Sequence, residues 1–127
     1  MEPFSVHVYP RARVTVAGVG GELDSDSAPG LAARLRPLAS QGRPLVLELA
    51  GLRFCGCAGL SLLLELHRLA TATGGRLLLA APSPAVRRIV QLTRMQAALP
   101  VAESVSEALT TLATAPPATT PDDGVDA

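Results

Sequence analysis

A chain of 127 residues, 48% of hydrophobic type but only 2% aromatic, is long enough for one domain built on an aliphatic core. Its formal net charge is zero and all eleven Lys+Arg side chains are arginines, which removes P-loop lysines, Schiff-base lysines and lysine bases from consideration. The longest apolar runs, residues 60–64 and 77–81, fall far short of the ~20 residues of a membrane span, and MEPFSVHVYP has no basic-then-apolar signal pattern, so a cytoplasmic protein with no membrane partner is expected.

In chain order, Val6 and Val8, then Ala12, Val14 and Val16, alternate with mostly polar residues. With Tyr9-Pro10-Arg11 interrupting them, they predict an antiparallel hairpin with one buried face. GGELDSDSAPG follows as a loop, in which Asp26 or Ser27 can cap a helix carrying Leu31, Leu35 and Leu38 at helical spacing. Pro37 should end or kink that helix, and Gly42 should supply a left-handed exit. Residues 45–49, LVLEL, form a short run of buried-strand type, and a leucine-rich helix follows from Gly59 to Ala72. Gly74-Gly75 stops it before another apolar run at residues 77–80. Strand, helix and strand make a βαβ unit with a right-handed crossover.

Ser83-Pro84 supplies an N-cap with proline at the first helical position. The short helix behind it places Val86, Ile89 and Val90 on one face and Arg87, Arg88 and Gln91 on the other. A brief extended piece near Pro100-Val101 precedes the capping box Ser104-Val105-Ser106-Glu107, which opens a last helix with Val105, Ala108, Leu109 and Leu112 as its buried stripe. Residues 1–114 thus form one α/β domain, a mixed sheet of four or five strands with about four helices. The Pro/Thr/Asp-rich residues 115–127 have too little apolar surface to fold and predict a disordered tail.

The charges are segregated. Residues 1–94 hold all eleven arginines against six acids, and residues 95–127 hold five acids and no arginine. The arginines are scattered without aromatic interleaving, so no nucleic-acid partner is expected.

One stretch stands apart, LRFCGCAGLSLLL at residues 52–64, where two thiols sit among glycines at a strand-to-helix transition. Cys57 near a helix N-terminus is placed as a low-pKa thiol would be. A Cys/His dyad within the segment fails on distance, because His67 lies ten residues along a helix rising ~1.5 Å per residue. Zinc wants four ligands where Cys-x-Cys supplies two, so neither an enzyme nor a metal or other cofactor is expected. With one residue between them, Cys55 and Cys57 do not suit a disulfide. The helix beyond has an apolar face wider than a single sheet contact needs. Either neighbouring helices cover the surplus, or part of it around Leu62 and Leu66 is a partner-binding patch.

Several stretches in order resemble the STAS domain of bacterial anti-sigma-factor antagonists. Gly21-Glu22-Leu23-Asp24 is similar to that family's G-E-[LI]-D loop, and LRFCGCAGLSLLL to its F-x-D-S-[ST]-G-L segment. GGRLLLAAPSPAVRRIVQLT resembles its next strand and S-P-x-V-x-R helix, and residues 104–109 its final helix. The resemblance implies a STAS-like fold and a protein-protein interaction module without chemistry of its own, which binds an anti-sigma factor, often a serine kinase, and releases a sigma factor for transcription. Taken with the helix reading, partner contacts are expected at Glu22, Asp24, Cys57, Leu60, Ser61, Leu62 and Leu66. In the family, phosphorylation of the loop serine breaks the complex by adding nearly two negative charges. Here Gly56, Cys57, Ala58 and Gly59 occupy the positions of aspartate, serine, Ser/Thr and glycine, so a serine kinase finds no hydroxyl at the switch position. The alternative is a thiol-based redox sensor on the same fold, using oxidation of Cys57 where the family uses phosphate. After the third helix the family usually carries glycine-leucine, and this chain has Arg94-Met95. The sequence leaves the oligomeric state open.

Overall fold

The structure, a computed structural model, describes residues 4–114; the expected tail, 115–127, lies outside the described residues. The described residues form five strands and four α-helices: β1 (Phe4–Arg11), β2 (Val14–Leu23), α1 (Ala28–Ala39), β3 (Pro44–Cys55), α2 (Cys57–Ala72), β4 (Arg76–Ala80), α3 (Pro84–Leu92), β5 (Val101–Ala102) and α4 (Val105–Thr114). A single 3-10 turn, Met95–Ala97, joins α3 to β5. The sheet runs β1-β2-β3-β4-β5, antiparallel between β1 and β2 and parallel thereafter. This is the mixed α/β architecture expected.

Both sheet faces are covered, which explains why LVLEL reads as a continuous apolar run rather than an alternation. Leu45, Leu47, Leu49 and Leu52 of β3 face a cluster completed by Leu31 and Leu35 of α1, Leu62, Leu63 and Leu66 of α2, and Val86 and Val90 of α3. Val46, with Val14, Val16, Leu78 and Ala80, faces the opposite way toward Ala108, and Val105, Leu109 and Leu112 of α4 pack over them.

The structure corrects several boundaries. Tyr9-Pro10-Arg11 does not form the hairpin turn; these residues belong to β1, with Pro10 opposite Thr15 on an edge strand, where its missing N–H is tolerated. The turn falls on Ala12 and Arg13, whose φ of 51° and 70° give the left-handed pair of a type I′ connection without glycine. β2 continues through Gly20-Gly21 to Leu23, with register shifts against β3 between Gly18 and Gly20 and between Gly21 and Glu22. β3 extends past Leu49 to Cys55, because its last residues still find partners on β2 up to Leu23 opposite Cys55. Pro37 neither stops nor ends α1; it sits in the last turn, and the helix closes two residues later with Ser40 Oγ donating to the Arg36 carbonyl at 3.0 Å. Gly42 has φ of +72°, the left-handed exit expected.

The caps are of two kinds. Ser83 Oγ accepts from Val86 N–H at 3.3 Å and caps α3. Ser104 Oγ accepts from Glu107 N–H at 3.0 Å, while the Glu107 carboxylate accepts from Glu103 N–H at 2.6 Å, one residue earlier than the standard capping box. Ser27 is the N-cap residue of α1, but its side chain does not cap the helix.

Candidate functional site

β2 and β3 are parallel and end level, Leu23 opposite Cys55, so the segments leaving them meet beyond the carboxyl edge of the sheet. Gly56 N–H donates to the Leu23 carbonyl at 3.0 Å and ties the two exits together. Gly56 is extended, and Cys57 is the first residue of α2, two residues before the expected start; Leu60 N–H closes the first turn on the Gly56 carbonyl at 3.0 Å. The N–H groups of the first turn have no partner within the helix.

The four loop residues differ in environment. Cys57 is exposed and free, Gly56 and Ala58 are half-buried, and Gly59 is buried. A Cβ on Gly59 would lie 2.7 Å from Leu23 Cγ and 2.9 Å from Cys55 Sγ, so glycine is required there by close approach rather than by its φ. Cys55 is buried under that contact, and burial first, then the nearby Cys57, pushes its thiol up to about 11. It is a core residue.

Asp24 and Glu22 come to the same edge in different roles. Asp24 Oδ1 accepts from Asp26 N–H at 3.0 Å and Ser27 N–H at 2.9 Å, and the buried Ser27 Oγ donates to the Glu22 carbonyl at 2.7 Å. That network shapes the β2–α1 loop and holds the Asp24 carboxyl below its ordinary pKa, chiefly through the Ser27 N–H. Glu22 is exposed and meets Arg53 at 3.3 Å, a surface pair of small energetic weight.

The helix behind the loop corrects the expected patch. Leu60, Leu62 and Leu66 are buried, and all three belong to the core cluster with α1, α3 and the sheet. The surplus apolar face is consumed by neighbouring helices, since α1 packs along α2 on one side and α3 approaches on the other. Ser61 is exposed on the first turn.

A different surface lies beside Cys57. Phe54, Cys55, Gly56 and Cys57 form one wall, and Ala85, Arg88, Ile89 and Leu92 of α3 the other, of a groove of about 290 Å³. Phe54 is 50% and Leu92 70% exposed, Leu92 the most exposed of the large apolar side chains among the described residues. Arg88, exposed, has no carboxylate partner among the described residues. Sequence reasoning missed Phe54, Arg88 and Leu92. The available signal was the Ala85, Ile89, Leu92 line at i, i+4, i+7, a second apolar line beside Val86 and Val90.

The turn after α3 keeps its left-handed shape without glycine, with Arg94 at φ 57° and ψ 38°. No group of three or more His, Cys, Asp or Glu residues that could hold a metal ion occurs among the described residues. No described helix is long and apolar enough to cross a membrane.

The family model for the STAS domain matches residues 5–108. Among solved structures, an anti-sigma factor antagonist from Mycobacterium paratuberculosis is similar with 28% identity and a TM-score of 0.77, over 87% of this chain and 94% of that one. An anti-sigma-factor antagonist (STAS) domain protein from Planctomyces limnophilus follows with 21% identity and a TM-score of 0.74, over 86% and 98%. The phosphorylated form of the Bacillus cell fate determinant SpoIIAA has 23% identity and a TM-score of 0.64, over 85% and 99%. No curated protein matches the chain.

Proposed function

The chain belongs to the STAS domain family, and from that premise we propose that it is a non-catalytic docking protein of the anti-sigma-factor antagonist type. It acts in the cytoplasm by binding an anti-sigma factor and releasing a sigma factor. The observation that carries this reading is the exposed Cys57 at the lip of an apolar groove with Phe54 and Leu92 standing into solvent. Exposed apolar side chains beside an addressable loop are what a partner surface needs.

The switch works differently from that of the phosphorylated relative. A thiol is close to a hydroxyl in size, so Cys57 leaves the docking shape intact while offering a serine kinase no acceptor. The protein stays in its binding-competent form at this position whatever the kinase activity around it. Cys57→Glu, which places a carboxylate where phosphate sits elsewhere in the family, lowers affinity for the cognate purified anti-sigma factor at least about thirtyfold, the size expected for a charge left unpaired at an interface. Calorimetric titration of wild type and variant checks this, and equal affinities remove the loop from the interface. Incubation with a partner kinase and ATP leaves the mass of the 52–64 segment unchanged; an added phosphate there overturns the insensitivity.

The exposure of Cys57 beside a buried Cys55 favours one second reading, regulation by oxidation. Two equivalents of hydrogen peroxide take the thiol through a sulfenic to a sulfinic acid, each releasing one water, and the ionised sulfinate supplies a negative charge at the groove. Loss of binding after peroxide in wild type but not in Cys57→Ser supports it, and retained binding removes it.

A further inference from the structure

α3 has two flanks, and the one facing away from Cys57 borders a second groove, of about 320 Å³, whose other wall is β5. Its floor is the buried Val86, Val90 and Leu99, its rim carries Gln91 and Gln96, and the Arg87–Glu103 ion pair spans one end.

β5 is the last strand of the sheet. Leu79 N–H donates to the Pro100 carbonyl at 3.0 Å and Ala81 N–H to the Ala102 carbonyl at 3.1 Å, so Ala102 turns its main chain toward β4. Successive residues of a strand present their main-chain groups to opposite edges. The N–H and carbonyl of Val101 therefore face outward, along the groove that its side chain also lines. The neighbouring outward N–H groups are taken, Leu99 by the Met95 carbonyl at 3.1 Å and Glu103 by the Glu107 carboxylate at 2.6 Å. Among the described residues this leaves Val101, 41% exposed, as the open donor of the edge.

A strand edge facing a helix across an apolar floor is the arrangement that accepts an added strand. We propose that this groove receives an uncharged extended segment of a partner protein, which pairs with Val101 as a further strand and sets aliphatic side chains on Val86, Val90 and Leu99. The charge pattern selects that occupant. The charges on the groove wall, Arg87 and Glu103, neutralise each other, so a neutral segment is matched and a charged one gains no counterion. The one open donor fixes register to a single residue. A second copy of the chain offers its own edge, β1, less well, because that strand carries Pro10, which has no N–H, and Arg11. The site is independent of the Cys57 groove.

The test uses the full chain, isotope-labelled, titrated with a library of end-blocked peptides of about seven residues carrying Val, Ile or Leu at alternate positions, matched to the period of a strand. Saturable amide shifts confined to residues 82–103, with hydrogen exchange at Val101 slowed about tenfold or more, are expected. N-methylation of the peptide's central amide nitrogen, or Val101→Pro in the protein, weakens binding about tenfold, the size of one interfacial hydrogen bond pair. The methylated peptide leaves the protein unaltered and so stands whether or not the proline variant folds. Shifts centred on Phe54, Cys57 and Leu92, affinity indifferent to N-methylation, no shifts at millimolar peptide, or concentration-dependent Val101 shifts without peptide each overturn the proposal.

Discussion

At the start of α2, Cys57 stands in solvent and Ala58 is half-buried, whereas farther along the same helix Leu62, Leu63 and Leu66 are 4%, 1% and 0% exposed. The two regions belong to one helix and one leucine-rich stretch of sequence, yet only the first is available to a partner. Hydrophobicity marks what can be buried, and the neighbours decide what is. The leucines meet α1, α3 and the sheet, while Phe54 and Leu92, which find no such cover, supply the apolar surface next to Cys57. A partner-binding surface is read from uncovered side chains rather than from the most apolar helix.

That contrast can be broken at the core end first. Leu66→Ala removes a fully buried side chain and is expected to destabilise the fold by about 2–5 kcal/mol, read by urea unfolding; a loss well under 1 kcal/mol would place Leu66 at a surface after all. At the junction of the two regions, Gly59→Ala drives a methyl against Leu23 and Cys55 Sγ. The overpacking outweighs the ~1 kcal/mol alanine gains inside a helix and leaves a net loss of about 1–2 kcal/mol, measurable in the same unfolding experiment.

The two thiols sharpen the comparison through pH. Cys55, with its folded pKa raised to about 11, favours the protonated native state. Its contribution is fully present below the unfolded thiol value of about 8.5 and fades as pH rises through the folded value. Stability between those limits falls with pH in the wild type and less steeply in Cys55→Ala. Under native conditions iodoacetamide labels Cys57 alone, and Cys55 reacts only at the rate of unfolding; equal labelling rates would erase the difference between the sites. The smallest effect is at the far end of α3. Arg94→Gly relieves a left-handed residue costing ~1–2 kcal/mol, gives part of that back as unfolded-chain entropy, and raises stability by about 0.5–1 kcal/mol in a thermal melt.

The element order was legible because the sequence carries its own punctuation. Ser83-Pro84, Ser104 with Glu107, Gly42 and the Gly74-Gly75 pair each stop or start an element where the structure does. The turn at Ala12-Arg13 was not legible, since neither residue is of the type that usually occupies a left-handed pair, and the edge proline beside it drew the boundary to itself. The ends of β2 and β3 were hidden by Gly20-Gly21 and Gly51, which look like loop but let the two backbones lie close, a Cβ on Gly51 coming 3.2 Å from Gly20 Cα. Within the site, the loop from Gly56 to Gly59 and the proximity of Glu22 and Asp24 were readable. Leu62 and Leu66 stayed open between core and partner patch, because coverage by α1 and α3 is a tertiary fact. Phe54 and Leu92 were missed because an apolar residue left exposed departs from the pattern that sequence reading relies on.

The sheet order, identical with the chain order, has a consequence for how the molecule assembles. Each strand pairs with the strand made just before it, so the sheet itself adds one neighbour at a time, while Val14 and Val16 wait for their cover from α4. The hairpin can form first, each crossover helix then delivers the next strand to a finished template, and the order suits a chain that folds as it leaves the ribosome. β5, two residues long, is the last strand delivered, so its outer edge is the youngest surface of the sheet and the one a newly made chain presents last.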